Sequence, residues 1–184
     1  MGGILVFFVV AGVLISFLVS LYNSLVRLRN QVKNAWSQID VQLKRRHDLI
    51  PNLVETAKGY MQHEKDTLEN ITRARSQALG ANSVKEKASA EGALSGAMSQ
   101  FLLVVENYPD LKANQNFLSL QEELSTTENK IAFSRQSYND QVLYFNNKIE
   151  MFPSNIVASI FSFKKEDFFE IQDLNEKEAP KIKF

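Results

Sequence analysis

The sequence has no cysteine, and only seven glycines and four prolines in 184 residues. The missing thiol excludes a disulfide scaffold, a thiolate zinc site, a cysteine nucleophile and a lipidated cysteine. Scarce glycine and proline disfavour a many-turned β fold. Charge of either sign is not in excess: 21 Lys and Arg stand against 21 Asp and Glu. A general nucleic-acid binder would carry a basic surplus, so no nucleic-acid partner is expected. The length suits one core of ordinary size.

The charges are not spread along the chain. No side chain ionises before Arg27, and residues 2–26 run GGILVFFVVAGVLISFLVSLYNSLV. As a helix this stretch would reach ~37 Å, enough to cross a hydrocarbon core of ~30 Å with some tilt. A cleaved signal peptide fits less well, because no basic residue precedes the run, the run is long and no A-x-A site follows; a buried core helix is the remaining alternative. Residues 1–26 are therefore read as a transmembrane anchor. The flank that follows carries Arg27, Arg29, Lys33, Lys44, Arg45 and Arg46 against a single acid, Asp40. Positive charge marks the cytoplasmic side, so the N-terminus is expected outside and the body inside. Arg27, Arg29 and Lys33 are close enough to the membrane exit to meet lipid headgroups. The triplet Lys44-Arg45-Arg46 lies ~28 Å from the membrane exit along a straight helix, where a bundle or partner contact and plain solvation are both open. Within the anchor, Gly12, Ser16 and Ser20 form a row of small residues that permits close helix association, so homo-oligomers are expected.

Beyond the anchor, apolar residues recur at steps of three and four: Leu25, Leu28, Val32, Trp36, Ile39, Leu43, Ile50, Leu53, Val54, Ala57, Tyr60, Met61, Leu68 and Ile71. That is the stripe of a buried helix face. Pro51 interrupts it without changing its phase, which predicts a kinked but continuous helix to about Leu79; a break into two helices is the alternative. Gly80-Ala81-Asn82-Ser83 marks a turn, with Gly80 suited to the position after a helix and Ser83 to an N-cap. A second helix, about 84–107, is rich in Ala, Gly and Ser. Tyr108-Pro109-Asp110 stops it. A third runs from about Asn116 to Ile149 on Phe117, Leu120, Leu124, Ile131, Tyr138, Val142, Phe145 and Ile149. A short helix fits 155–163, and 164–184 reads as a loosely attached tail. The fold class is all-α: an anchor, then an antiparallel, coiled-coil-like bundle of three long helices and a short fourth across 27–163.

The stretches YNSLVRLRNQVKNAWSQIDVQLKRRHDLIPNLVETAKGYMQHEKDTLENITRARSQA (22–78) and LQEELSTTENKIAFSRQSYNDQVLYFNNKIEMFPSNIVASIF (120–161) resemble the LemA family. The resemblance covers most of the chain, anchor included, and is interrupted mainly at 79–116 and in the tail. It implies a single-pass bacterial membrane protein with a cytoplasmic helical bundle, and brings no established enzymatic activity.

The residues themselves give no positive sign of catalysis. His47 and His63 would stand ~24 Å apart on one helix, too far to share a metal. His63-Glu64 is followed by Thr67, so the H-E-x-x-H pattern is absent. Both histidines read as solvated or locally hydrogen-bonded. The acids Asp40, Asp48, Glu55, Glu64, Asp66 and Glu69 read as a solvated face, since no Glu-x-x-His pair accompanies them. No G-x-S-x-G elbow and no phosphate-binding loop occurs. No cofactor or metal is therefore expected, and the chain is expected not to be an enzyme.

A polar cluster on the third helix includes Glu128, Arg135, Asn139 and Asn146. Asn139 and Asn146 are one heptad apart beside the aromatic stripe, and Arg135 could pair with Glu128. Fixing helix register, an interaction surface and a ligand site are the readings left open. These features suggest a membrane-anchored helical scaffold or adaptor whose partners are the membrane, further copies of the chain and other membrane proteins. The alternative is a sensor or binder of a lipid or small ligand in a groove beside the small residues of 88–99.

Overall fold

A computed structural model describes residues 2–170, and all its regular elements are helices: α1 (Gly2–Lys58), α2 (Lys65–Gly80), α3 (Val84–Val105), α4 (Pro109–Lys112), α5 (Gln115–Glu150) and α6 (Ser154–Ile160). The described residues form two compact units, one on 2–39 and 134–167, the other on 40–133 and 168–170. Helices α1 and α5 supply residues to both.

The first expected helix differs from the structure in where it ends. Helix α1 passes through Pro51, as its unbroken stripe requires, but stops at Lys58 rather than near Leu79. Gly59 follows, and the N–H groups of Tyr60 and Met61 both donate to the Ala57 carbonyl, closing a turn. Buried Ala57, Met61, Leu68 and Ile71 keep the apolar phase across this turn. Periodicity alone therefore could not reveal the break. Proline costs α1 one hydrogen bond, whereas glycine supplies backbone freedom without a side chain to hold the next turn.

Ser83 caps α3 as expected. Its Oγ accepts from the Glu86 N–H at 3.2 Å, and the Glu86 carboxylate accepts from the N–H groups of Ser83 and Asn82. These hydrogen bonds to the charged form hold the Glu86 carboxyl below its usual range, the Asn82 and Ser83 N–H groups first. Gly80 is the last residue of α2 itself, and the chain leaves through Ala81 in an extended conformation (φ −73°, ψ 130°) rather than through a left-handed glycine.

In the unit on 40–133 the core gathers Ile50, Leu53 and Ala57 of α1, Ile71 of α2, Leu94 and Phe101 of α3, Leu111 of α4, and Phe117 of α5. In the other unit, Leu21 and Leu25 of α1 pack with Val157 and Ala158 of α6, with Tyr22, Ile149 and Phe163 against them. Helix α6 ends in a Schellman arrangement: Ser162 is left-handed (φ 55°), its N–H donates to Ser159 O, and the Phe163 N–H donates to Ala158 O.

Residues 164–170 have no regular secondary structure, yet they are not loose as the sequence suggested. The backbone of Glu166 and Asp167 is held by side chains of α5, and Phe169 is buried. The rest of the expected tail, 171–184, lies outside the described residues.

Candidate functional site

Two places concentrate the polar chemistry. The first, in the unit on 2–39 and 134–167, is the foot of the apolar run. From Ile4 to Val19 the large apolar side chains of α1 are exposed, and the run is long and apolar enough to cross a membrane. Burial begins at Leu21, where α6 packs on α1. Gly12, Ser16 and Ser20 are all exposed, and a Cβ placed on Gly12 would meet nothing within 4 Å. Their row is open to another helix.

The three basic residues expected at headgroups have different surroundings. Arg27 is exposed and lines an open groove with Gln31, Asn147 and Lys148. Lys33 is exposed. Arg29 is half-buried, with its guanidinium 5.1 Å from the centre of the Phe163 ring, so its charge is placed on an aromatic face. Phe163 also meets Phe145 and Tyr22 edge-on.

On α5 the amide of buried Asn146 forms a two-point clasp on the backbone of Glu166: Nδ2 donates to its carbonyl and Oδ1 accepts its N–H, each at 3.0 Å. Tyr138 Oη donates to Asp167 O at 2.8 Å, while its ring packs edge-on against Trp36. Burial, then the nearby acids Glu166 and Asp167, push the Tyr138 phenol up to about 12, so it stays a donor. The Asn146 amide thus takes the backbone of Glu166 as its partner. Arg135 and Asn139 are half-buried in this unit, whereas Glu128 belongs to the other.

The second place is a buried ionic network in the unit on 40–133. Arg46 is 1% exposed and Glu91 is 3% exposed. The Arg46 guanidinium pairs with the Glu91 carboxylate, and its Nη1 donates to Glu128 Oε1 at 2.8 Å and to Ser95 Oγ at 2.9 Å. His47 Nε2 lies 2.9 Å from Glu91 Oε1. Arg75 Nε donates to the His47 carbonyl at 2.7 Å. Burial, followed by the Arg46 and Arg75 charges, pulls the His47 imidazole down to about 4. With Glu91 paired to Arg46, a neutral imidazole is the form that fits, and its Nε2 stands near Glu91 without a hydrogen bond of good geometry. Lys87 pairs with Asp40 at 2.8 Å in the same unit.

This network was not anticipated. His47 is buried rather than solvated, and within the basic triplet Arg46 is the bundle contact while Lys44 and Arg45 are exposed. The signal was the gap in the stripe between Leu43 and Ile50: helical phase puts 46 and 47 on the buried face. Glu91 likewise holds the stripe position between buried Ala88 and Leu94. Asp40 and Glu64, read as solvated acids, accept from Lys87 and from Tyr108 Oη. The small-residue face of α3 is a packing face, with Ala88, Leu94 and Met98 buried.

The network is built of paired charges, with Arg46 Nε and His47 Nε2 buried outside its hydrogen bonds. Ser95 Oγ faces a cation rather than a base, which does not activate a hydroxyl nucleophile. A carboxylate neutralised by a guanidinium and an imidazole pulled far below neutrality are structural partners of one another.

The sequence profile described as "LemA family" matches residues 35–184, which takes in the segment 79–116 and the tail and begins after the apolar run. Protein LemA of Metamycoplasma hominis is 34% identical over 160 residues, covering 84% of this chain and 71% of the relative. Magnetosome protein MamQ 2 of Paramagnetospirillum magneticum is 24% identical over 182 residues, covering 85% of this chain and 67% of the relative. Magnetosome protein MamQ of Magnetospirillum gryphiswaldense is 21% identical, covering 85% and 68%. With the profile spanning most of the chain and a relative at 34% identity, the chain belongs to the LemA family.

Proposed function

We propose that this protein is a membrane-anchored helical scaffold or adaptor without catalytic activity. The observation that carries it is the continuity of α1: one helix joins an exposed apolar run to a body whose buried Arg46 and Glu91 pair with each other. The apolar run crosses the bacterial inner membrane once. Arg27, Arg29 and Lys33 keep the body in the cytoplasm and the N-terminus outside. The row Gly12, Ser16 and Ser20 brings anchors of several copies together. The bundle then offers long helical faces to membrane proteins. Magnetosome naming of the relatives is compatible with a membrane setting.

Two measurements test this reading. Alkaline carbonate washing should leave the protein in the membrane pellet. Leu103→Cys, at an exposed position of α3, should react with an impermeant thiol reagent in inside-out vesicles and not in intact spheroplasts. Release by carbonate removes the anchor, and the reverse labelling pattern overturns the orientation.

A second reading, binding of a small apolar ligand, has an open groove lined by Val54, Leu68, Thr72 and Arg73 in its favour. A native mass spectrum carrying a bound small molecule would support it, and a bare protein mass would count against it.

A further inference from the structure

The turn after α5, helix α6 and the residue that follows it carry five large exposed apolar side chains within eleven residues. Met151 is 60% exposed, Phe152 78%, Ile156 51%, Ile160 68% and Phe161 57%. Phe152, Ile156 and Ile160 follow one another at steps of four. Val157 and Ala158, on the other side of α6, are buried against Leu21 and Leu25 of α1. A water-facing surface rarely gathers apolar groups so closely without a partner.

The position of this patch identifies the partner. Helix α6 is fixed to α1 at residues 21–25, where the exposed apolar run ends. The Phe161 ring packs at a tilt against Tyr22, centroids 4.6 Å apart, and Tyr22 is the first aromatic residue after that run. Tyrosine at such a boundary sits at headgroup level. The patch therefore continues the lipid-facing surface of Leu18 and Val19, which are themselves exposed. Beside it, Arg27 and Lys148 line one groove with Met151. Apolar side chains bordered by cations are the signature of an interfacial membrane contact.

We propose that the α5–α6 corner is a second membrane contact, with Met151, Phe152, Ile156, Ile160 and Phe161 in the headgroup–acyl boundary and Arg27 and Lys148 on anionic headgroups. It rests on the reading of residues 1–26 as an anchor. The contact seats the residues packed at the foot of α1 against the bilayer surface, so that this part of the body does not swing freely on a single helix.

The absence of native cysteine makes the test direct. Single variants Leu14→Cys, Gln38→Cys, Phe152→Cys and Ile160→Cys are labelled with an environment-sensitive fluorophore. They are placed in phosphatidylcholine–phosphatidylglycerol vesicles containing doxyl lipid quencher. Gln38 is exposed on the same helix, ~24 Å past Tyr22, and serves as the aqueous reference. Labels at 152 and 160 are expected to be quenched several-fold more than the label at 38, and protected from aqueous iodide. Replacing Arg27 and Lys148 by Gln should remove the dependence of that quenching on phosphatidylglycerol content. Quenching at 14 with iodide-accessible labels at 152 and 160 overturns the proposal. Labels shielded from both quenchers overturn it in favour of a protein partner, a second copy included. An unquenched label at 14 instead brings down the anchor reading, and this inference with it.

Discussion

Arg46 and Glu128 are 82 positions apart in sequence, and the guanidinium Nη1 of one stands 2.8 Å from the carboxylate Oε1 of the other. Glu91 takes the same guanidinium from α3, so one cation ties α1, α3 and α5 together. Such a group is costly to bury alone and specific when paired. Arg46→Ala should lose ~3–5 kcal/mol, because Glu91 remains buried without its counter-charge. A double variant, Arg46→Met with Glu91→Leu, should recover most of that loss. Urea unfolding of the detergent-solubilised chain measures both, and equal destabilisation by the single and double variants would contradict a buried, coupled pair.

His47 makes stability depend on pH. Its imidazole titrates near 6.5 when unfolded and near 4 in the folded chain. The unfolded chain binds the proton more readily between those values, so stability is in place above about pH 6.5 and falls as pH drops toward 4. Below that the contribution is lost and changes no further. Carboxylates also titrate near the lower end, so the comparison is with His47→Gln. The variant should show a flatter dependence of the urea midpoint between pH 6.5 and 4. Identical curves would place His47 in solvent.

The clasp of Asn146 on Glu166 should control the segment at 164–170. Asn146→Ala leaves a half-buried peptide group without partners, a cost of ~1–3 kcal/mol. Amide exchange in that segment should accelerate about tenfold or more, since each ~1.4 kcal/mol is a factor of ten. Exchange in α2 and α3 should stay unchanged. Tyr138→Phe should act in the same direction by ~1 kcal/mol through the lost bond to Asp167 O. Unchanged exchange at 164–170 in both variants would show that the clasp does not hold the segment.

Ser162 carries a left-handed backbone at the end of α6. An L side chain there costs ~1–2 kcal/mol, partly offset by the smaller freedom of serine than glycine in the unfolded chain. Ser162→Gly should therefore stabilise by ~0.5–1 kcal/mol, and Ser162→Val should destabilise by at least ~1 kcal/mol. Thermal unfolding gives both signs; a less stable glycine variant would contradict the strain.

The helices were legible because burial writes period into sequence: the stripe from Phe117 to Ile149 predicts a helix from about Asn116 to Ile149, within a residue of α5 at each end, and Ser83 marked the start of α3 through its cap. The turn at 59–64 was hidden because Ala57, Met61 and Leu68 stay in phase across it. The ionic network was hidden for a different reason. Arg46 and Glu91 occupy stripe positions, but charge in a stripe reads as a gap unless the partner is known, and partners 45 or more residues apart are set by packing. Asn146 was singled out as a polar residue beside aromatics, while its partner, the backbone of Glu166, carries no side-chain signature. The apolar patch at 151–161 had no signal beyond a short helix at 155–163, since exposure is a property of the packed chain.

The most direct test of a scaffold that works by presenting its surfaces is crosslinking with mass spectrometry on intact membranes. Crosslinks between copies of the chain, diminished by Gly12→Leu and Ser16→Leu, and crosslinks to other membrane proteins are the expected result. A spectrum holding only crosslinks within single chains would contradict it.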